Sequence, residues 1–156
     1  NMEATKTKPV VILMADDDDD DFLLTKKALG ESRLLNDLYR VNNGEELLDY
    51  LHQRSGYTQA NAPRPGIILL DLNMPKMDGR EALREIKQDE KLRNIPVVVF
   101  TTSKAGEDVF KSYQLGVNSF ITKPVTFDNL TEVMLALGNY WFEIVELPMQ
   151  DESEPS

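Results

Sequence analysis

Cysteine is missing from the chain altogether, so no disulfide framework and no thiolate metal site is available, while the redox compartment stays open on this ground alone. Long apolar runs are missing too. None approaches the roughly 20 residues that a membrane-crossing helix needs, and Val10 to Ala15 is too short for the apolar core of a signal peptide. Positive charge is scarce: 17 Lys and Arg stand against 27 Asp and Glu, giving a formal net charge of −10 and a pI of about 4.6. Such a surface repels nucleic-acid phosphates and anionic lipid headgroups, and no local basic patch offsets it. Neither nucleic acid nor a membrane is expected as a partner, and a cytoplasmic protein is the default. The only histidine, His52, ends a helical stretch beside a polar loop. Without a partner motif for phosphotransfer, it reads as solvated.

What is present suits one globular domain: 156 residues, of which 41% are hydrophobic and 28% charged, give ordinary usage and enough apolar material for a core. Negative charge concentrates in the run Asp16 to Asp21 and in the tail Asp151 to Glu154. The tail reads as solvated and disordered. The expected organisation is a disordered segment over 1–8, one domain over 9–147 with an extended last helix, and an acidic disordered tail over 148–156.

Within the domain, short β-rich apolar runs alternate with stretches of helical period, the pattern of a parallel sheet with crossover helices. Val10 to Met14 is continuously apolar, as a strand buried on both faces should be. Phe22, Leu23, Ala28, Leu29 and Leu35 then recur at helix spacing, predicting a helix over about 19–35 with acidic residues at its positive N-terminus. Leu38 to Val41 forms a weaker strand; Asn43-Gly44 breaks the chain, and Glu46, Leu47, Leu48 and Leu51 open a second helix. Gln53 to Gly66 reads as a polar surface insertion. Ile67 to Leu70 is a third strand ending on Asp71, followed by a helix over 79–91. Val97 to Phe100 is a fourth, ending on Thr101, followed by a helix over about 105–115 that stops at Gly116. Ser119 to Thr122 is a fifth, ending at Lys123-Pro124. A last helical period runs from Phe127 through Trp141 and Val145 to Pro148.

Five strand-helix units with right-handed crossovers wind into a doubly wound five-stranded parallel α/β sheet covered by helices on both faces. In such sheets the ligand site lies beyond the carboxyl ends of the strands. Those ends carry Asp16-Asp17, Asp71, Thr101 and Lys123. Any one polar strand end simply meets solvent; the set differs, because three neighbouring carboxylates repel one another unless a cation occupies the space between them. Carboxylates, a carbonyl and waters suit a hard divalent ion such as Mg²⁺. A carboxylate is an adequate nucleophile toward phosphorus when metal, ammonium and hydroxyl donors stabilise the charge developing on the phosphoryl oxygens. Asp71 fits the nucleophile, Lys123 the ammonium and Thr101 the hydroxyl. The loop with Pro75 and Gly79 leaves room for the phosphate.

At these residues the sequence resembles the response-regulator receiver family. The matching segments are Ile12 to Asp17, Leu70 to Gly79, Pro96 to Thr101 and Phe120 to Pro124, and the resemblance covers about residues 8–138. It implies a flavodoxin-like, CheY-like sheet in which Asp71 is the phosphoacceptor, Asp16 and Asp17 are the acidic pair that holds Mg²⁺ with Asp71, and Asn73 is a ligand through its backbone carbonyl. It further implies that Thr101 and Phe120 form a coupled switch pair, that Lys123 binds the phosphoryl group, and that the Lys123-Pro124 peptide is cis. The switch aromatic is Phe120 rather than a tyrosine, so no hydroxyl bond is available to it. Six consecutive aspartates leave the register of the acidic pair open by one residue, with the alignment favouring Asp16 and Asp17. Asp20 to Thr25, the loop near Tyr57 and Asn139-Tyr140-Trp141 resemble the small stand-alone regulators that serve phytochrome-type histidine kinases.

Rival readings fit less of the chain. A calcium loop starting at Asp16 or Asp18 lacks the Gly and Glu of an EF-hand. A phosphatase of the haloacid dehalogenase type would leave the Asp71 to Gly79 segment unexplained, and a receiver-like adaptor that is never phosphorylated would not need the full chemical set. Met74 and Met77 read as packing residues. Tyr140, Trp141 and Phe142 exceed what one helical face can bury and suggest a partner surface. With no output domain expected after Gly138, signalling would proceed by protein contact: a sensor histidine kinase as phosphodonor, and a homodimer through the last helix. The protein is expected to catalyse only its own phosphorylation and dephosphorylation.

Overall fold

The computed structural model describes residues 10–31, 36–102, 116–117, 119–123, 126, 128–129 and 132. Their order is β1 (Val10–Ala15), α1 (Asp19–Glu31), β2 (Asn36–Val41), α2 (Gly44–His52), β3 (Ile67–Asp71), α3 (Gly79–Gln88), β4 (Val97–Thr102) and β5 (Ser119–Lys123). The strands form one sheet in the order β2-β1-β3-β4-β5, every pairing parallel. This is the flavodoxin-like order, whose direction reverses between β1 and β3.

Strand side chains alternate between two buried layers, which is why the runs are continuously apolar. Leu13, Ala15, Ile68, Leu70, Val97 and Val99 pack with Leu47 and Leu48 of α2 and with Ala82, Leu83 and Ile86 of α3. Ile12, Met14, Ile67, Leu69, Val98 and Phe100 pack on the opposite layer with Ala28 and Leu29 of α1. Each of the Val, Leu, Ile, Met and Phe side chains among these contributes roughly 1.5–3 kcal/mol on burial. Met74 is buried as expected, and Met77 packs partly against the core.

Several expectations need correction. The helix starting at Gly79 ends at Gln88 rather than at residue 91, because Asp89 is extended (φ −98, ψ 122) and its carboxylate accepts the Lys91 N–H at 2.7 Å. The segment 53–66 is more than a surface insertion. Ala62 belongs to the core, Tyr57 packs against it with its ring 5.4 Å from that of Tyr50, and the Tyr50 hydroxyl donates to the Pro63 carbonyl at 2.8 Å. Burial pushes the Tyr50 hydroxyl well above the ordinary tyrosine range. His52 is exposed, as expected, with its Nε2 3.8 Å from Asp89 Oδ2. β2 starts earlier, at Asn36, and α2 at Gly44.

Gly116 adopts the left-handed conformation (φ 83) expected of a helix stop, while the helix over 105–115 lies outside the described residues. Asp128, Asn129 and Glu132 are helical; the rest of the expected last helix, the Trp141 cluster, both termini and Pro124 lie outside them as well. Among the described residues no helix is long and apolar enough to cross a membrane.

Candidate functional site

Strand parity and register bring the first two carboxylates together. Asp16 continues the Ile12, Met14 side of β1 and Asp71 the Ile67, Leu69 side of β3, and Ala15 is paired with Leu70. One step further along, Asp16 and Asp71 are neighbours on the same face, at the point where strand order reverses. One carboxylate oxygen from each of Asp16, Asp17 and Asp71 lies within 4.8 Å of the others. Asp16 and Asp71 are buried, at 0% and 1% exposure, and Asp17 is exposed. This places one side of the cluster in the protein and opens the other to water.

Backbone donors orient two of these groups. Asp16 Oδ1 accepts the Asp18 N–H at 2.8 Å, and Asp71 Oδ1 accepts the Asn73 N–H at 3.0 Å. Withdrawing two carboxylates from water beside a third is costly unless a cation compensates them. The donor set is all hard oxygen with an open side for water, which fits Mg²⁺ and excludes no other hard divalent ion.

The remaining expected residues sit on the same sheet edge. Backbone register pairs Thr101 with Thr122 and Thr102 with Lys123, so Thr101 and Lys123 occupy the ends of two adjacent strands, β4 beside β3 and β5 one strand further out. Phe120 pairs with Val99 and is partly buried against the layer that holds α2 and α3. Asn73 is exposed, two residues beyond Asp71.

The six aspartates divide into different tasks. Asp16 and Asp17 join the cluster. Asp18 caps α1, its Oδ1 accepting the N–H of Asp20 at 2.8 Å and of Asp21 at 3.3 Å, an interaction worth about 1 kcal/mol. Asp19 Oδ1 meets Arg40 Nη1 at 2.8 Å, a contact that the reading of the run alone had missed.

Two glycines, expected only as a chain break at Gly44 and as part of a roomy loop at Gly79, prove to be tightly packed. Gly79 N–H donates to the Leu72 carbonyl at 3.0 Å, and a Cβ there would strike the Asp71 carbonyl oxygen and approach the Leu72 Cα to 2.7 Å. Gly44 is similarly pressed on Met77, to whose carbonyl its N–H donates at 3.0 Å. The signal available in the sequence was a glycine at the start of each helix, where a side chain is ordinarily tolerated. Because the blocking atoms at Gly79 are backbone, Gly79→Ala is expected to destabilise the fold by about 1–3 kcal/mol, read from the urea midpoint. An unchanged midpoint would show that the β3–α3 turn yields freely.

Fold and site together define a doubly wound α/β domain with a cluster of three carboxylates at its topological switch point. The chain belongs to the response regulator receiver domain family, whose model matches residues 12–135. It is 41% identical over 147 residues to the response regulator Rcp1 of Synechocystis sp., across 94% of this chain and 99% of that protein. It superposes on the crystal structure of the phosphorylated cyanobacterial phytochrome response regulator RcpA with a TM-score of 0.75 and 41% identity, covering 86% of this chain and 95% of that one. For the Mn²⁺-bound form of Rcp1 the TM-score is 0.74 at 41% identity, covering 85% and 94%. The protein is thus a response regulator with a signalling role in a two-component phosphorelay.

Proposed function

We propose that this chain accepts a phosphoryl group from the phosphohistidine of a sensor histidine kinase onto Asp71, in a reaction that needs Mg²⁺ at Asp16, Asp17 and Asp71 with the Asn73 carbonyl. The observation that carries the reading is the meeting of three carboxylates within 4.8 Å at the end of β1 and β3. The relatives support it: one was solved phosphorylated and another with Mn²⁺. Their phytochrome setting favours a phytochrome-type kinase as donor.

In the transfer, a bond forms between an Asp71 carboxylate oxygen and phosphorus while the phosphorus–nitrogen bond breaks, the imidazole leaving with the electron pair. Mg²⁺, when bound, neutralises the acidic cluster and the charge gathering on the phosphoryl oxygens. The Asn73 N–H, donated to Asp71 Oδ1, fixes the rotation of the nucleophile. Lys123 is assigned to a phosphoryl oxygen and Thr101 to another as a hydroxyl donor. Thr101, drawn toward the new charge, vacates space for Phe120, whose two positions differ by packing alone. Signalling then runs through protein contact in the cytoplasm, with self-association through the last helix as the proposed output. The same groups assist hydrolysis of the acyl phosphate, so the only chemistry is on the protein itself.

With acetyl phosphate and Mg²⁺ the protein is expected to gain one acid-labile phosphoryl group, seen in the intact mass, and to gain none when EDTA removes the ion. Incorporation that persists undiminished in EDTA would remove the metal from the reaction.

A further inference from the structure

Arg40 stands next to last in β2, paired with Met14 of β1, and its side chain reaches over the acidic β1–α1 turn. Nε donates to the Asp16 backbone carbonyl at 3.0 Å. Nη1 donates to Asp19 Oδ1 at 2.8 Å, and the guanidinium carbon lies 5.0 Å from the centroid of the Phe22 ring. The Arg40 side chain is 21% exposed against 85% for Asp19. One planar group therefore ties down the exit from β1, the first residue of α1 and the first turn of α1.

Two opposite effects on a bound cation follow, and their relative size decides the role. A guanidinium near the acidic cluster opposes a metal ion by Coulomb repulsion. That term is weakened here, because Asp19 compensates the charge at hydrogen-bond distance and sits in water, where screening is strong. The directional contacts are not cancelled in this way. Holding the Asp16 carbonyl holds the peptide plane between Asp16 and Asp17, and so the origin of the Asp17 side chain. Without that restraint, metal binding would have to order the turn at the cost of its conformational freedom.

We propose that Arg40 is a positioning residue of the metal site, a clamp that prearranges Asp16 and Asp17 for a divalent cation. The inference rests on the reading of Asp16, Asp17 and Asp71 as that site. Lysine cannot replace the clamp, since one ammonium on a flexible stem cannot meet the Asp16 carbonyl and the Asp19 carboxylate while lying over Phe22 as a planar fork does.

The test is calorimetric titration of the full chain with Mg²⁺ alone, for wild type, Arg40→Ala and Arg40→Lys, together with hydrogen exchange of the Asp18 amide in EDTA. Loss of an outer-shell partner is expected to weaken Mg²⁺ binding about tenfold in Arg40→Ala, with Arg40→Lys recovering less than half of the loss on a logarithmic scale. The Asp18 N–H, held by Asp16 Oδ1, should exchange faster in both variants even without metal. If Arg40→Ala binds Mg²⁺ as tightly as wild type or more tightly, Arg40 is only a surface cation and the clamp is overturned. An Arg40→Lys protein indistinguishable from wild type overturns it too, by making charge rather than geometry the cause, and this variant decides the matter if Arg40→Ala does not fold. A wild type that binds no Mg²⁺ is a different result: it removes the metal site itself, and the clamp with it.

Discussion

Asp71→Asn is expected to reduce phosphoryl incorporation from acetyl phosphate to background while leaving the fold intact. The amide has the shape of the carboxylate, and its oxygen can still accept the Asn73 N–H that Asp71 Oδ1 accepts at 3.0 Å. What it lacks is an anionic oxygen able to form the bond to phosphorus. Replacing one buried carboxylate in a cluster of three also relieves repulsion, so in EDTA the variant should unfold at the same urea concentration as wild type or a higher one. That second measurement separates lost chemistry from lost structure. A folded Asp71→Asn protein that is phosphorylated as fully as wild type would move the acceptor to another residue.

The second large effect concerns the register of the aspartate run. Asp17→Asn is expected to weaken Mg²⁺ binding by at least about tenfold, the least that even outer-shell losses cost, and to slow phosphorylation at limiting Mg²⁺. Asp20 offers the contrast: it is exposed and is held through its N–H by Asp18 rather than through its carboxylate. Asp20→Asn should therefore change the Mg²⁺ affinity less than twofold. The two substitutions remove the same charge from the same short run, so long-range electrostatics alone would affect them alike. Equal losses in calorimetry would mean that general acidity, and not the three-carboxylate geometry, attracts the ion.

Local pattern carried much of the fold because strands and helices leave different periods in a chain. Ile67 to Leu70 read as a strand ending on Asp71, and β3 spans Ile67–Asp71. The misjudged stretches are those in which distant residues intervene. Polarity made segment 53–66 look like an open loop, yet Tyr57 and Ala62 meet a core built from other elements. The helical pattern ran on past Gln88, where an Asp89 turn stops it.

By itself the sequence determined the five-strand parallel order of elements and the polar residues at the strand ends, because these follow from apolar periodicity and from the handedness of crossovers. It could not divide six chemically identical aspartates among different tasks. Only tertiary structure decided that: the register of β1 on β3 sets Asp16 beside Asp71, helix geometry turns the Asp18 oxygen back on the amides of α1, and a residue 24 positions away, Arg40, takes hold of the Asp16 carbonyl. Identical side chains differ only in their surroundings, and those surroundings come from strands that meet in space rather than in sequence.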